Sequence, residues 1–154
     1  MHWGQHGDIP VPANYVGDSR TDLAVFRPSD KNWYIENAAA PDGYEHIHFG
    51  EVTDKFVPGD YDGDGKADIA VYRPSNNYWY IIPSTAPTTY VFKTVGALNS
   101  IPAPGDYDGD GKWDEAVFTP STGTWSILYS SNAPTGSVQF GSSEDIPIPS
   151  VFVR

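Results

Sequence analysis

The sequence feature that most constrains the fold is an acidic nine-residue loop that occurs three times at a spacing of 46 residues. Two copies are nearly identical: Asp-Tyr-Asp-Gly-Asp-Gly-Lys-Ala-Asp at 60–68 (loop 2) and Asp-Tyr-Asp-Gly-Asp-Gly-Lys-Trp-Asp at 106–114 (loop 3). The third, Asn-Tyr-Val-Gly-Asp-Ser-Arg-Thr-Asp at 14–22 (loop 1), has lost two carboxylates. Because four carboxylates in so short a loop repel one another, loops 2 and 3 need a cation among them.

The ligand pattern of loops 2 and 3 indicates which cation this is. Hard oxygen ligands at alternating positions, with glycine at position 6 for a sharp turn, are typical of calcium sites. We therefore predict two calcium ions per chain. The predicted carboxylate ligands are Asp60, Asp62, Asp64 and Asp68 in loop 2 and Asp106, Asp108, Asp110 and Asp114 in loop 3. The backbone carbonyls of Lys66 and Lys112, at position 7, complete the two predicted ligand sets.

The predicted calcium loops differ from EF-hand loops in their second half. An EF-hand supplies a bidentate glutamate at position 12 and continues into a helix. Position 12 is valine here, and residues 68–73 form a β-branched and aromatic run that predicts a strand. We therefore expect each loop to connect two strands, and its last carboxylate, Asp68 or Asp114, to complete the metal site.

Loop 1 is a degenerate copy of the same site. Valine replaces the carboxylate at position 3, serine replaces the turn glycine, and Arg20 brings a positive charge to position 7. The remaining candidate donors are Asn14, Asp18 and Asp22. We expect weak calcium affinity at loop 1 or none.

The period of 46 residues extends well beyond the loops. Alanines recur at 24, 70 and 116, and tryptophans at 33, 79 and 125. Periods of this size are typical of propeller blades or solenoid turns. We divide the single domain 1–154 into repeats at about 5–50, 51–96 and 97–141, followed by a redundant terminal segment, 142–154.

Within one repeat the sequence predicts four short strands, which in the second repeat lie at 56–60, 68–73, 78–82 and 90–95. No segment of useful length carries helical periodicity. The second strand is apolar on both faces, which is typical of a sheet packed between two neighbours. The prediction is an all-β fold of three four-stranded antiparallel sheets, with the repeated alanines and tryptophans in the core between them. For the tryptophans, a ligand-stacking role is the alternative.

These residues resemble a known family. Phe49-Gly50, Ile-Pro-Ala-Pro-Gly at 101–105 and Asp-x-Asp-Gly-Asp-Gly-x-x-Asp are similar to FG-GAP, or VCBS-like, repeats of the integrin-α type, over essentially the whole chain. The resemblance implies a β-propeller of four-stranded blades, with calcium between the first and second strands of a blade. Family members include adhesion modules, lectins and accessory domains of secreted enzymes, so the resemblance names no single ligand.

Three repeats are too few to close a propeller ring of the usual size. Propellers usually carry four to eight blades, and this chain has three repeats. Its ends also duplicate each other, since Asp-Ile-Pro-Val-Pro at 8–12 returns as Asp-Ile-Pro-Ile-Pro at 145–149. We expect an arc that is completed to six blades by a homodimer, or that is part of a larger propeller.

Composition narrows the partners and the compartment. A net charge of −11 and a pI near 4.4 argue against nucleic acid and anionic membranes as partners. The chain has no cysteine, so thiol chemistry and disulfides are excluded. No signal peptide opens the chain, and we expect a leader to belong to a longer secreted parent. A calcium site of low affinity fits a secreted, extracellular protein.

Nothing in the sequence forms a catalytic constellation. The carboxylate pairs lie where calcium would keep them ionised, which removes the proton donor that acid–base catalysis needs. We therefore predict no enzyme activity, and instead a calcium-stabilised recognition module for carbohydrate or protein ligands. Trp113, at position 8 of loop 3, is a candidate ligand-binding residue, unless it packs on the adjacent loop. The alternatives are a structural or accessory segment of a larger secreted enzyme or adhesin, or a propeller fragment that self-assembles.

Overall fold

The computed structural model describes residues 3–148, and within this range the chain forms twelve β-strands and no helix. Blade 1 contains β1 (Ile9–Pro10), β2 (Ala24–Arg27), β3 (Asn32–Glu36) and β4 (Tyr44–His48). Blade 2 contains β5 (Lys55–Phe56), β6 (Ile69–Arg73), β7 (Tyr78–Ile82) and β8 (Val91–Thr94). Blade 3 contains β9 (Ile101–Pro102), β10 (Glu115–Thr119), β11 (Thr124–Leu128) and β12 (Gly136–Gln139). The predicted terminal segment lies outside the described residues from position 149 onward.

Each blade is a four-stranded antiparallel sheet whose strands follow one another in chain order. The first strand of each blade is only two residues long, because prolines limit its hydrogen bonding to the second strand. The predicted all-β fold with propeller-like blades is thus confirmed for an arc of three. No helix long and apolar enough to cross a membrane occurs in residues 3–148.

The core lies between the blades. On blade 2, Ala70 and Tyr72 face blade 3, whereas Ile69 and Val71 face blade 1, and all four are buried. This alternation makes both faces of the sheet apolar, as the sequence of its second strand predicts. The blades therefore pack as stacked wedges, and each wedge depends on its neighbours for stability.

The repeated tryptophans fill the inter-blade space. Trp33 packs between blades 1 and 2, Trp79 packs between blades 2 and 3, and both side chains are fully buried. Trp33 contacts Phe56 across the interface, with ring centroids 5.4 Å apart. Trp125, on the outer face of blade 3, is only partly buried. The structure thus assigns Trp33 and Trp79 to the core.

Candidate metal centre and inter-blade groove

The three acidic loops lie side by side, each between the first and second strand of its blade. An isolated bridge closes each loop: Ala13 pairs with Asp22, Gly59 with Asp68, and Gly105 with Asp114. Backbone hydrogen bonds join neighbouring loops, because Ala67 N donates to Asn14 O at 2.7 Å and Trp113 N donates to Asp60 O at 2.7 Å. The loops therefore form one continuous acidic row along an edge of the arc.

In loop 2, the structure brings together three of the four predicted carboxylates. Oxygens of Asp60, Asp62 and Asp64 lie within 4.8 Å of one another. Asp60 also organises the turn, because its Oδ1 accepts the Gly63 N–H at 2.6 Å and its Oδ2 accepts the Gly65 N–H at 2.8 Å. Loop 2 thus folds back on itself, so that three of its alternating aspartates direct their carboxylates into one small volume.

In loop 3 the three converging carboxylates are Asp106, Asp108 and Asp114, again within 4.8 Å. Asp110 is not in this group. Its Oδ1 accepts the Lys112 N–H at 2.8 Å, and its Oδ2 accepts the Ser130 hydroxyl at 2.7 Å. This hydroxyl holds the pKa of Asp110 below its usual value. The two loops share one sequence pattern but present different trios.

The last carboxylate of each loop is buried beneath the others. Asp68 accepts the backbone N–H of Tyr61 at 2.9 Å and of Ser84 at 2.7 Å, one on each oxygen. Burial raises the pKa of Asp68 to about 7, these two hydrogen bonds oppose the rise, and the charges of Asp62 and Asp60 add to it. Asp114 has the equivalent two bonds, from Tyr107 and Ser130. Asp68 and Asp114 thus connect the acidic loop to the body of the blade.

Four hydroxyl residues complete the acidic row, and the sequence analysis missed them. They lie in the turn between the third and fourth strand of a blade. In blade 2, Ser84 Oγ donates to Asp64 at 2.7 Å, and Thr85 Oγ1 donates to Asp62 at 2.6 Å. In blade 3, Ser131 Oγ donates to Asp108 at 2.6 Å, alongside the bond from Ser130 to Asp110. The spacing of 46 residues links both pairs and could have revealed them.

Loop 1 lacks both halves of this arrangement. The positions equivalent to the hydroxyl pair are Ala38 and Ala39, so the carboxylate at position 3 is lost together with its hydroxyl partner, whereas Asp18 remains without one. Asn14 turns to the neighbouring loop instead, and its Nδ2 donates to Gly65 O at 2.9 Å. Asp22 accepts the Tyr15 and Val16 N–H groups, which ties it to its own loop.

The residue at position 7 of each good loop packs on the preceding loop. A Cβ added at Gly17 would lie 2.7 Å from Lys66 Cε, and one added at Gly63 would lie 2.9 Å from Lys112 Cε. The side chains of Lys66 and Lys112 therefore cover the neighbouring turn, where a φ of +84° at Gly17 and Gly63 favours glycine. Arg20, at the same position in loop 1, forms no ion pair within residues 3–148.

Trp113 is packed between blades. Its indole lies against Gly59, and its ring contacts Tyr61 with centroids 6.1 Å apart in a T-shaped arrangement. The side chain is partly buried and borders the core cluster between blades 2 and 3. This is the packing alternative described above, and a ligand-binding role for Trp113 stays a prediction.

The donor sets fit a hard divalent cation. Each trio supplies only carboxylate oxygens, which suits calcium or magnesium better than a soft transition metal. His46 and His48 lie exposed on the outer strand of blade 1, away from both trios. A bound ion would neutralise charge that loops 2 and 3 otherwise concentrate, and the same residues would then hold the first two strands of a blade together.

Comparison with known families agrees with the loop geometry. Residues 60–117, which begin at loop 2 and extend through loop 3 into β10, match the family model of the FG-GAP-like repeat. This segment is similar to an FG-GAP-like repeat. The FG-GAP resemblance read from the loops is therefore confirmed for these residues, whereas the first repeat lies outside the match. Neither a curated protein nor a solved structure matches the chain.

A second candidate site is a groove of about 570 Å³ between blades 2 and 3. Most of its lining residues carry hydroxyl groups, and Val95, Gly96 and Ala97 complete the wall. The hydroxyl residues are Thr94, Thr119, Ser121, Thr122, Thr124, Ser126 and Thr135. The groove is thus lined by groups that both donate and accept hydrogen bonds and carry no charge.

The groove lies where three residues that blades 1 and 2 share are changed together in blade 3. In blade 2, Arg73 pairs with Asp54 at 2.8 Å and stacks over Tyr80, 4.6 Å from the ring centroid. Blade 1 has the same trio at the equivalent positions: Arg27 contacts Asp8 at 3.0 Å and lies 4.1 Å from the centroid of the Tyr34 ring.

In blade 3 the equivalent residues are Thr119, Ser100 and Ser126. Thr119 and Ser100 keep a hydrogen bond, with their oxygens 2.7 Å apart. Two large side chains are therefore replaced by small hydroxylic ones, and space opens where the other blades are filled.

Proposed function

We propose that this chain is a calcium-stabilised, non-catalytic recognition module that acts outside the cell. The observation that carries the proposal is the pair of carboxylate trios, one in each good loop of the FG-GAP-like segment. The ion has a structural role, because it would relieve repulsion in the loops and hold the first two strands of a blade together. Extracellular fluid supplies calcium at the concentrations that suit sites of low affinity.

Calcium titration of the metal-free protein tests the metal assignment. We expect isothermal titration calorimetry to give two calcium ions per chain and a weaker response to magnesium. Asp64→Asn in loop 2 and Asp108→Asn in loop 3 should each weaken one of the two sites. Asp18→Asn, in loop 1 at the position equivalent to Asp64, is the matched control and should leave both sites intact. Failure to bind calcium at extracellular concentrations would overturn the assignment.

We further propose that the ligand is a carbohydrate and that it binds in the groove between blades 2 and 3. Sugar hydroxyls both donate and accept hydrogen bonds, as do the serine and threonine hydroxyls that line the groove. The side chain of Ser126 makes no hydrogen bond within residues 3–148, so it is available to a ligand. The groove is also large enough for one or two sugar rings, given that small-molecule sites span roughly 300–1,000 Å³.

A glycan array, followed by titration of the best ligand, tests the carbohydrate site. The decisive variant restores the trio of the other blades, Ser100→Asp with Thr119→Arg and Ser126→Tyr. Because blades 1 and 2 tolerate these residues, the variant should fold and should lose binding as its groove fills. Ser75→Tyr, on an exposed turn of blade 2, is the control and should keep binding. Undiminished binding by the triple variant would place the carbohydrate elsewhere, and an array without any bound glycan would make a protein ligand the better candidate.

A further inference from the structure

The two ends of the arc expose faces that every internal interface covers. Trp125 on the outer face of blade 3 is partly exposed, whereas its equivalents Trp33 and Trp79 are fully buried. Phe140 on the same rim is 75 % exposed, although its equivalent Val95 is 6 % exposed beneath blade 3. Blade 3 thus presents a face of the kind that elsewhere contacts the next blade.

The internal interfaces show what such a face contacts. Between blades 1 and 2, Ile47 and Ile69 belong to one apolar cluster. One period later, between blades 2 and 3, the equivalent residues are Lys93 and Glu115, and they form an ion pair at 2.8 Å. Both partners change together from apolar to charged. The two positions therefore act as a matched pair across each blade interface.

The two free ends complete this series. The member of the pair on the outer face of blade 3 is Val138, which is 55 % exposed. The member on the outer face of blade 1 is Leu23, which is 46 % exposed. Valine and leucine form an apolar match of the Ile47–Ile69 kind. The outer face of blade 3 is therefore complementary to the outer face of blade 1.

The segment after blade 3, residues 142–148, resembles residues 5–11 at the start of blade 1. Its Asp145 accepts the Ser142 N–H at 2.7 Å, just as Asp8 accepts the Gln5 N–H at 2.9 Å. Asp8 then pairs with Arg27, but Asp145 has no arginine within residues 3–148. Ile148 is 70 % exposed, although its equivalent Val11 in blade 1 is 4 % exposed. Residues 142–148 thus share the Asp-Ile-Pro sequence and the turn of the segment that contains the first strand of blade 1.

We propose that a second copy of this chain covers these surfaces head to tail, beyond any role in ligand recognition. Blade 3 of one copy packs on blade 1 of the next, and residues 142–148 of the first copy replace residues 5–11 of the second. Asp145 then pairs with the second copy's Arg27, and Ile148 takes the position of Val11. Two copies close a ring of six blades, whereas three would give nine, outside the usual range of four to eight.

The mass in solution, measured by sedimentation equilibrium with calcium present, tests this proposal. We expect twice the chain mass of 16.9 kDa. Leu23→Glu should weaken association, and Val138→Lys in the same chain should restore it, because the pair then mimics Lys93–Glu115. Val52→Glu, a similarly exposed apolar residue outside both faces, is the control and should not change the mass.

The exchange of terminal segments makes a prediction of opposite sign at two equivalent residues. Asp145→Ala should weaken dimerisation by about tenfold or more, because it leaves Arg27 without its intermolecular partner. Asp8→Ala should strengthen dimerisation, because it removes the competitor from the same chain. Circular dichroism of each variant separates a loss of association from a loss of folding. A single-chain mass for the folded wild type, or the same shift for both aspartate variants, would overturn the proposal.

Discussion

The tryptophans at the blade interfaces offer a matched test of the packing. Trp33 Nε1 donates to Phe49 O at 3.0 Å, whereas the buried Trp79 Nε1 has no acceptor in the described part of the chain. Trp→Phe leaves a similar cavity at both fully buried positions, so that cost cancels in the comparison. Trp33→Phe also loses the indole hydrogen bond and leaves the Phe49 carbonyl without that donor. Trp79→Phe instead removes an unpaired N–H whose burial destabilises the fold by about 1–3 kcal/mol.

Trp33→Phe is therefore expected to lower the free energy of unfolding by about 2 kcal/mol more than Trp79→Phe does. Urea unfolding followed by far-UV circular dichroism, in saturating calcium, measures both, and equal m-values would show that the unfolded states are comparable. Trp125→Phe is the control. Trp125 donates to Phe140 O at 2.9 Å on an exposed face, where water can replace the bond, so its cost should be smaller than that of Trp33→Phe. The reasoning fails if Trp79→Phe proves the more destabilising of the two buried substitutions.

Two further predictions concern the turns and the acidic row. Gly96→Ala should lower the free energy of unfolding by about 2–5 kcal/mol, because Gly96 has a φ of +83° and the new methyl group would collide with Val117. Gly43→Ala is the control, since Gly43 has a φ of +76° but open space around it. It should cost only about 1–2 kcal/mol in the same urea assay. In the absence of divalent cations, the melting temperature should fall as the pH rises from about 4 to 7. The pKa of Asp68 is about 4 in the unfolded chain but about 7 in the folded protein. The folded state therefore binds an extra proton in this pH range, and it loses that stabilisation as the pH rises. Saturating calcium should reduce this loss, and a metal-free melting temperature that rises through the same window would contradict the buried position of Asp68.

The strands were predictable because the period and the alternation both report burial. The four strands expected for the second repeat at 56–60, 68–73, 78–82 and 90–95 correspond to β5, β6, β7 and β8, with shifts at their ends. The largest shift is in the first strand, which lies at Lys55–Phe56. Residues 57–60 instead run on to the loop, where only Gly59 makes a bridge. Proline limits the ladder here, and the apolar pattern does not show where pairing stops.

The acidic loops were predictable because like charges at a fixed spacing indicate a cation site. The residues that surround the loops were not predictable. Spacing alone does not show that Asp110 leaves its trio while its equivalent Asp64 stays. The contact of Lys66 with Gly17 depends on the angle between two blades, which no local pattern encodes. Contacts that cross from one repeat to the next require the arrangement of the repeats, and only the structure supplies it.

Differences between the repeats are as informative as their similarities. Each position occurs three times in one chain, so the repeats act as an internal comparison under a common fold. Trp113 lies on Gly59, whereas the residues at the equivalent positions one period earlier are Ala67 and Ala13, so this contacting pair changes together. Residues that change together across an interface, such as Lys93 and Glu115, identify partners that must remain complementary.

The same reasoning links the two ends of the arc to one another. Leu23 is equivalent to Glu115, and Val138 is equivalent to Lys93, the two residues that form an ion pair between blades 2 and 3. Unlike that pair, neither Leu23 nor Val138 is charged. In the proposed dimer, a charge on one end alone would face an apolar residue on the other and lose its hydration without gaining a partner. Exposed apolar residues at both ends are thus the composition that a head-to-tail contact between copies requires, and the charge-pair rescue at these two positions tests that contact directly.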